Sequence, residues 1–255
     1  MFVDTHTHLY AEEFTSDIDE VIKKAIAAGV DKFFLPNIDS SSIDVMHALC
    51  NKYPAHCFPM MGLHPCSVKE NYLEELAIAY NLLKTKKYVA VGEIGIDLYW
   101  DKTFYTQQVD AFTQQINWAL EFDLPIVIHC RNSFDEIYEI LSSFKKLPKG
   151  IFHCFSGNEE QAKKIIEATN FKLGIGGVLT FKNSGLDKAI ANIDLRHLVL
   201  ETDAPYLAPI PYRGKRNESS YIPLIAAKLA EIKKCSVLEV ASITTTNAKE
   251  VFSWD

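Results

Sequence analysis

The chain is predicted to adopt an α/β fold, a single (β/α)₈ TIM-type barrel of parallel strands formed by one domain over residues 1–255. Three observations predict it. Eight short apolar runs alternate with longer amphipathic segments. The length, 255 residues, is close to the ~250 that such a barrel needs. Histidines and carboxylates recur near the C-terminal ends of the runs, where barrel enzymes build their sites.

The runs lie at 2–9, 32–38, 57–64, 88–96, 125–129, 151–155, 171–178 and 198–203. Each is rich in Val, Ile, Leu or Phe and bounded by Gly, Pro or polar turns, as strands buried on both faces are. After the first run, Ile18, Val21, Ile22, Ala25 and Ile26 share one helical face, and Gly29 follows as a stop signal. Residues 106–122 form a further helical segment. Ser133 and Glu136 have capping-box spacing ahead of the stripe Ile137, Ile140, Leu141 and Phe144. Segments 159–168, 184–191 and 221–233 complete the helical candidates. Strand starts recur at about 20–40 residues, enough for a strand and a covering helix. A doubly wound open sheet is the structural alternative. No low-complexity stretch, linker or shift in composition marks a domain boundary.

Composition narrows the class. Hydrophobic residues make up 48% and charged residues 23%, as in ordinary globular proteins. No apolar run approaches the ~18 residues of a membrane span. The start, Met1-Phe2-Val3-Asp4, lacks a basic region followed by an apolar stretch, so a cytoplasmic protein is expected, with no membrane and no obligate protein partner. Six cysteines form no C-x-x-C pair and read as free thiols. A net charge of −7 argues against a broad basic nucleic-acid surface, but bound cations would reverse the sign locally.

The polar residues suggest a metal centre. In His6-Thr7-His8 the two imidazoles share strand parity and can grip one ion, with Asp4 a layer deeper as an orienting group. Glu93, in Val91-Gly92-Glu93-Ile94-Gly95, is a carboxylate in an apolar strand, costly to bury unless paired or bound to a cation. Its two oxygens suit a bridge between two ions. His129 and His153 end or lie in the fifth and sixth runs, and Cys130 and Cys154, of opposite parity, should face outward. Asp203 closes the set as ligand and proton acceptor, with Glu201 beneath it as a support or an ordinary ion-pair partner. An isolated histidine of this kind is usually a satisfied core residue; together these placements point to two divalent cations. His6, His8, Glu93 and Asp203 would surround one, and Glu93, His129 and His153 the other. Zinc, magnesium and manganese all suit such ligands.

The segments Asp4-Thr5-His6-Thr7-His8-Leu9, Gly62-Leu63-His64-Pro65, Gly92-Glu93-Ile94-Gly95-Ile96-Asp97, His129-Cys130-Arg131, His153-Cys154-Phe155-Ser156-Gly157 and Glu201-Thr202-Asp203-Ala204-Pro205 resemble the TatD-related metal-dependent DNases, a branch of the amidohydrolase-like barrels. The loop from Pro211 to Glu218 resembles that family's loop after the eighth strand. The resemblance spans nearly the whole chain. It implies a (β/α)₈ fold, two divalent metals and hydrolysis of DNA phosphodiesters, often from a 3′ end. Leu98, where an aromatic is common, and Asn132-Ser133 depart from the pattern without touching a ligand position.

The expected activity is therefore that of a metal-dependent deoxyribonuclease, a 3′–5′ exonuclease on single-stranded DNA, with Glu93 and Asp203 as its catalytic carboxylates. His64, Arg131, Tyr206, Arg213 and Arg216 are the substrate-contact candidates, Arg213, Lys215 and Arg216 forming a compact basic loop. His64 also fits a plain turn before Pro65, and the basic loop a solvated charge cluster. Tyr99 and Trp100, with Tyr206, could stack on unpaired bases. The competing enzyme reading is an amidohydrolase acting on an ester or amide, such as an aminoacyl-tRNA deacylase, because fold and metals do not determine the bond cleaved. A binding module that kept only the barrel is the other alternative, and the intact ligand set opposes it.

Overall fold

A computed structural model describes residues 1–254. Eight parallel strands are present: β1 (Phe2–Asp4), β2 (Val30–Leu35), β3 (Cys57–Pro59), β4 (Val91–Asp97), β5 (Ile126–Arg131), β6 (Gly150–Phe152), β7 (Lys172–Ile175) and β8 (Leu198–Leu200). Helices follow them: α1 (Ile18–Ala27), α2 (Ile43–Lys52), α3 (Tyr72–Thr85), α4 (Tyr105–Glu121), α5 (Phe134–Ser143), α6 (Glu159–Thr169), α7 (Leu186–Ile190), α8 (Ile222–Lys233) and α9 (Val237–Phe252). Among the described residues no helix is long and apolar enough to cross a membrane.

The strands pair in chain order, as a three-stranded sheet β1-β2-β3 and a five-stranded sheet β4-β5-β6-β7-β8. Chain order without reversal excludes the doubly wound alternative. The expectation of one closed ladder is corrected: the arrangement is barrel-like, but its hydrogen bonding falls into two sheets. At one seam Met61 and Val91 form a lone bridge, with Met61 N donating to Ala90 O and Gly92 N to Met61 O. At the other, Thr5 N donates to Leu200 O and Asp203 N to His6 O. The seam strands β1, β3 and β8 are three residues each, and β3 ends on Pro59, which has no N–H to extend a ladder.

Strand parity sorts the core into two layers. Val3, Phe34, Met60, Ala90, Val127, Ile151 and Val199 meet in one inner cluster, closed by Ala248, Val251 and Phe252 of α9 together with Trp254. Ile126, Ile128 and Leu198, of the opposite parity, and Ile94 and Ile96, which follow a register shift in β4 after Val91, pack with Leu173 in the outer cluster against the helices. The plug α9 was not among the predicted helices. It is anchored by Asn247, whose side-chain amide donates to Leu195 O and Leu198 O at 2.7 Å each. Gly29 does follow α1, at φ 85°. Ser133 does precede α5, but it makes no side-chain cap; its hydroxyl donates to Ile96 O at 2.6 Å, tying the helix start to β4.

The inner cluster stabilises the end of the strands opposite the histidines. Phe34 is fully buried, stacked on Phe252 at 4.1 Å and on Phe58 at 5.2 Å. Truncation of Phe34 to Ala should cost about 3–5 kcal/mol of stability, because aromatic deletions leave cavities that rigid neighbours cannot fill. A chemical denaturation midpoint equal to that of the parent protein would show that α9 does not close this end.

Candidate metal centre

Glu93 lies in the middle of β4 and is 2% exposed. Its oxygens face two groups of imidazoles. Oε2 is 3.1 Å from His6 Nε2 and 3.8 Å from His8 Nε2. Oε1 is 2.8 Å from His129 Nδ1, 3.5 Å from His64 Nε2 and 3.7 Å from His153 Nε2. Asp203 Oδ1 approaches His8, His153 and His6 at 3.5, 3.7 and 3.8 Å. The six ligand candidates read from the sequence are thus brought to one place, and His64 joins them. Among the described residues four sets have donor atoms within 4.8 Å of one another: His6, His8 and Asp203; His6, Glu93 and His153; His64, Glu93 and His129; and His153, Cys154 and Glu201.

Local backbone explains the convergence. His6 and His8 are not on a strand, as parity reasoning assumed, because β1 ends at Asp4. The segment is held by Thr7 N donating to Phe34 O and His8 N donating to Ala204 O. Asp4 stitches it to the eighth strand's end, accepting from Thr202 N at 2.9 Å, Thr202 Oγ1 at 2.6 Å and Ser219 Oγ at 2.6 Å. Burial raises the Asp4 carboxyl to about 7 despite those bonds. His153 and Cys154 likewise lie just past β6, and Cys154 has φ 45°. Strand alternation therefore stops there, and Cys154 does not face outward: its thiol lies with His153 and Glu201. At Gly95, φ 147°, a Cβ would fall 2.0 Å from His129 O, so only glycine lets β4 pass this close to His129.

Hydrogen bonds on the far side of each ring assign what it presents to the centre. Tyr10 donates its hydroxyl to Pro36 O at 2.5 Å, so His8 Nδ1, 3.0 Å away, is the donor to Tyr10 and Nε2 keeps its lone pair. Asp97 Oδ2 accepts a hydrogen bond from His129 Nε2–H at 2.8 Å, which leaves Nδ1 toward Glu93. Glu201 Oε1 lies 2.9 Å from His153 Nδ1. That approach is too poorly aligned for a full hydrogen bond, and Nδ1 and Glu201 Oε2 stay without partners, so it acts mainly as a charge contact. His64 is the opposite case. Its Nδ1 accepts from Cys66 N at 3.0 Å, so a neutral ring carries its proton on Nε2 and offers a donor.

Asp97 and Tyr10 escaped sequence reasoning, although Asp97 shares strand parity with Glu93 and lies in the same motif. Tyr10 carried no signal, because its role needs the chain turn that brings Pro36 to it. Glu201 is fully buried as a support, and Gly174 makes room for it: a Cβ there would fall 2.2 Å from Glu201 Oε2.

The substrate-contact candidates are scattered around the centre. Arg131 is exposed at the end of β5, its guanidinium 4.1 Å from the Tyr99 ring and 5.2 Å from Trp100. Tyr206 is exposed, with its ring 6.3 Å from that of His8. Arg213 lies over Phe181 at 4.4 Å. Arg216 is not free to join them. It pairs with both oxygens of Asp17 at 2.8 and 2.7 Å, donates to Glu13 O at 2.6 Å and reaches Glu218 at 3.0 Å. The compact basic loop of the sequence is split by this anchoring, and Arg216 is a buttress.

Electrostatics couple the rings to the carboxylates. Burial alone would raise Glu93, but His6, His64, His153 and His129 hold it well below the usual range. Burial likewise opposes ionisation of Asp203, and His153 and His8 keep it low. Burial also disfavours the His153 cation, yet Glu201, Glu93 and Asp203 more than offset this and raise it to about 10. His6 and His64 are lowered by burial. Two carboxylates shared among imidazoles with orphaned or back-bonded nitrogens form a donor set that fits two divalent cations.

Comparison with known proteins agrees with this geometry. The family described as "TatD related DNase" matches residues 3–253. YabD of Bacillus subtilis (strain 168), described as an uncharacterized metal-dependent hydrolase, is 39% identical over 254 residues, covering 99% of each chain. A 3′-5′ ssDNA/RNA exonuclease TatD of Escherichia fergusonii is 30% identical over 258 residues, covering 98% of each. The crystal structure of YJJV, a TatD homolog from Escherichia coli K12, superposes with a TM-score of 0.93 at 29% identity, covering all of this chain and 98% of that one.

Protonation gives a direct test. A His153 raised above its ordinary 6.5 stabilises the metal-free fold fully below pH 6.5, and that contribution is lost as pH rises through about 10. The melting temperature of the stripped protein should therefore fall over this interval, and His153→Gln should flatten the slope. At pH 7 cation binding should release about one proton from His153. Calorimetry in buffers of different ionisation enthalpy measures it, and a count near zero would contradict the assignment.

Proposed function

Given that the chain belongs to the TatD-related DNase family and is a metal-dependent hydrolase, we propose that it hydrolyses DNA phosphodiesters as a 3′–5′ exonuclease on single strands, acting as one domain. The observation that carries this reading is the division of Glu93 between two imidazole groups, a donor arrangement that would suit a pair of divalent cations acting on a phosphoryl group. His6, His8, Asp203 and Glu93 Oε2 would hold one; Glu93 Oε1, His129 and His153 would hold the other. Bound there, the cations supply Lewis-acid activation of a water and of the phosphoryl group.

The remaining residues have separable tasks. Asp203, ionised at neutral pH, accepts the proton of the attacking water. His64 Nε2–H donates to a phosphoryl or leaving-group oxygen; its burial keeps the ring neutral and its back-bond keeps the proton on that nitrogen. Arg131 and Arg213 hold phosphates flanking the scissile one, with their guanidinium planes set by the aromatic rings beneath them. Tyr206, Tyr99 and Trp100, all exposed, offer faces for unpaired bases. Two arginines on a chain of net charge −7 grip few phosphates, which suits a strand end better than a long duplex.

Single-stranded DNA labelled at either end, digested with magnesium, manganese or zinc, tests the reading. A 5′-labelled strand should shorten stepwise and a 3′ label should leave first as a mononucleotide, while chelation stops both. Glu93→Gln should lower metal stoichiometry and activity together without loss of fold. Rapid hydrolysis of esters or amides with no DNA cleavage under any of these metals would favour the amidohydrolase reading.

The two arginines of the loop should separate. Arg213→Ala should slow DNA hydrolysis about ten- to a hundredfold, the worth of one charged hydrogen bond, with little change in melting temperature. Arg216→Ala should instead destabilise the protein, because Asp17 and Glu218 lose their shared partner. Equal melting shifts for the two variants would reject this division.

A further inference from the structure

His64 reaches the centre from a stretch of chain that no sheet supports. β3 ends at Pro59, and Met61 makes only a lone bridge to Val91, so residues 62–64 must find other partners for their backbone groups. Gly62 O accepts from the Asn37 side chain at 2.8 Å, and His64 N donates to Ile38 O at 2.8 Å. Leu63, between them, is 1% exposed, and one side chain takes both of its backbone groups. Leu63 N donates to Gln115 Oε1 at 2.7 Å, and Gln115 Nε2 donates to Leu63 O at 3.2 Å. We propose that Gln115 of α4 is a positioning residue that holds His64 where its Nε2–H can reach the reacting phosphate ester; the proposal rests on the nuclease reading above.

The helix itself has no use for an amide at this place. Phe112, Ile116 and Ala119, the neighbours of Gln115 on that face of α4, are fully buried and apolar, and Gln115 is buried with them. A polar group there is costly unless it is hydrogen-bonded. Among the described residues its side chain makes no hydrogen bond except the two to Leu63. An amide suits that task because it presents an acceptor and a donor side by side, as a neighbouring strand would. Seven residues earlier on α4, Gln108 is buried too, and its Oε1 accepts from Asp97 N at 2.9 Å. One face of one helix therefore registers both His64 and Asp97, the partner of His129.

The consequence for His64 follows from how its ring is held. Cys66 N fixes the ring to its own turn through Nδ1, and Leu63 and His64 N fix that turn to the barrel. Without Gln115 the turn and the ring can shift together. Nε2 lies 3.5 Å from Glu93 Oε1 and 3.3 Å from His129 Nδ1, so a small shift redirects its proton relative to the centre. Donors aimed at developing charge act through such placement.

The test is a double-mutant cycle on single-stranded DNA with the metal that supports activity. Gln115→Met, which fills similar space without either hydrogen bond, should lower kcat about ten- to a hundredfold, the scale of a ~1 Å misplacement, with KM little changed. In a His64→Ala background the same change should alter kcat less than about twofold, because the group it positions is gone. The melting temperature should fall equally in both backgrounds, since Leu63 loses its partners in each. A kcat loss of the same size with and without His64, or an unchanged kcat in Gln115→Met, overturns the proposal. Should Gln115→Met not fold, Gln115→Glu replaces it: a protonated carboxyl keeps an acceptor and a donor, and an ionised one only acceptors. Between about pH 6 and 9, where buried carboxyls titrate, its kcat relative to the parent should fall as pH rises, and only while His64 is present. A flat ratio, or a fall that persists in His64→Ala, overturns the proposal. If the parent cuts no DNA with magnesium, manganese or zinc, the nuclease reading fails, and crystal structures decide Gln115 separately. A His64 ring displaced by about 1 Å, or split between positions, in the variant supports it; superposable rings overturn it.

Discussion

A carboxylate buried among apolar strands is the constraint around which the rest is arranged. Glu93, at 2% exposure, would be untenable as an isolated anion. Five imidazoles surround it, divided between its two oxygens, and together with Asp203 they form a centre that attracts positive charge. The same attraction that keeps Glu93 ionised favours protonation of His153 and His129 when no cation is bound. Proton and metal are thus alternatives for one electrostatic need, and pH and metal content act on the fold through the same side chains.

Holding those rings requires a surrounding layer of polar groups, and each member has a different origin in the chain. Asp97 comes from β4 itself and also caps the following turn, accepting from Tyr99 N at 2.9 Å and Trp100 N at 3.2 Å. One carboxylate therefore sets both the His129 ring and the turn that carries the aromatics under Arg131. Glu201 stands behind His153 in the space left by Gly174 and also accepts from Cys154 N at 2.5 Å. Asp4 binds the first strand's end to the eighth across a seam that lacks a ladder. Where backbone pairing is interrupted, side-chain hydrogen bonds restore the closure, and they do so at the level of the ligands.

The surroundings of the centre are electrically uneven. Arginines backed by aromatic rings lie at Arg131 and Arg213, while the cavity between the loops after β5 and β6 carries the carboxylates Asp135 and Glu136. A net charge of −7 conceals this division, because a few well-placed cations decide where a phosphate can rest. The opposite end of the strands is apolar and sealed by α9, so stability and chemistry occupy different ends of the same strands.

Periodicity and composition determined the eight strands, their parallel order and the donor types, because a strand buried on both faces leaves an apolar run whatever surrounds it. Alternation holds along β5 and places His129 inward with Cys130 on the other side, whereas β4 shifts register between Val91 and Ile94, so the inward position of Glu93 rests on that local irregularity. Alternation failed for Cys154, and His6 and His8 do share the centre but from a segment beyond the strand end, where neighbouring loops set the backbone. Tertiary structure alone decided which nitrogen each ring presents, since that depends on partners such as Tyr10, Asp97 and Cys66 N brought in from elsewhere. It also decided the fate of Arg216. Beside Arg213 and Lys215 in the chain it reads as one of a basic trio, but folding sets Asp17, 199 residues away, against its guanidinium, because opposite charges brought together by the fold pair wherever they lie in the chain.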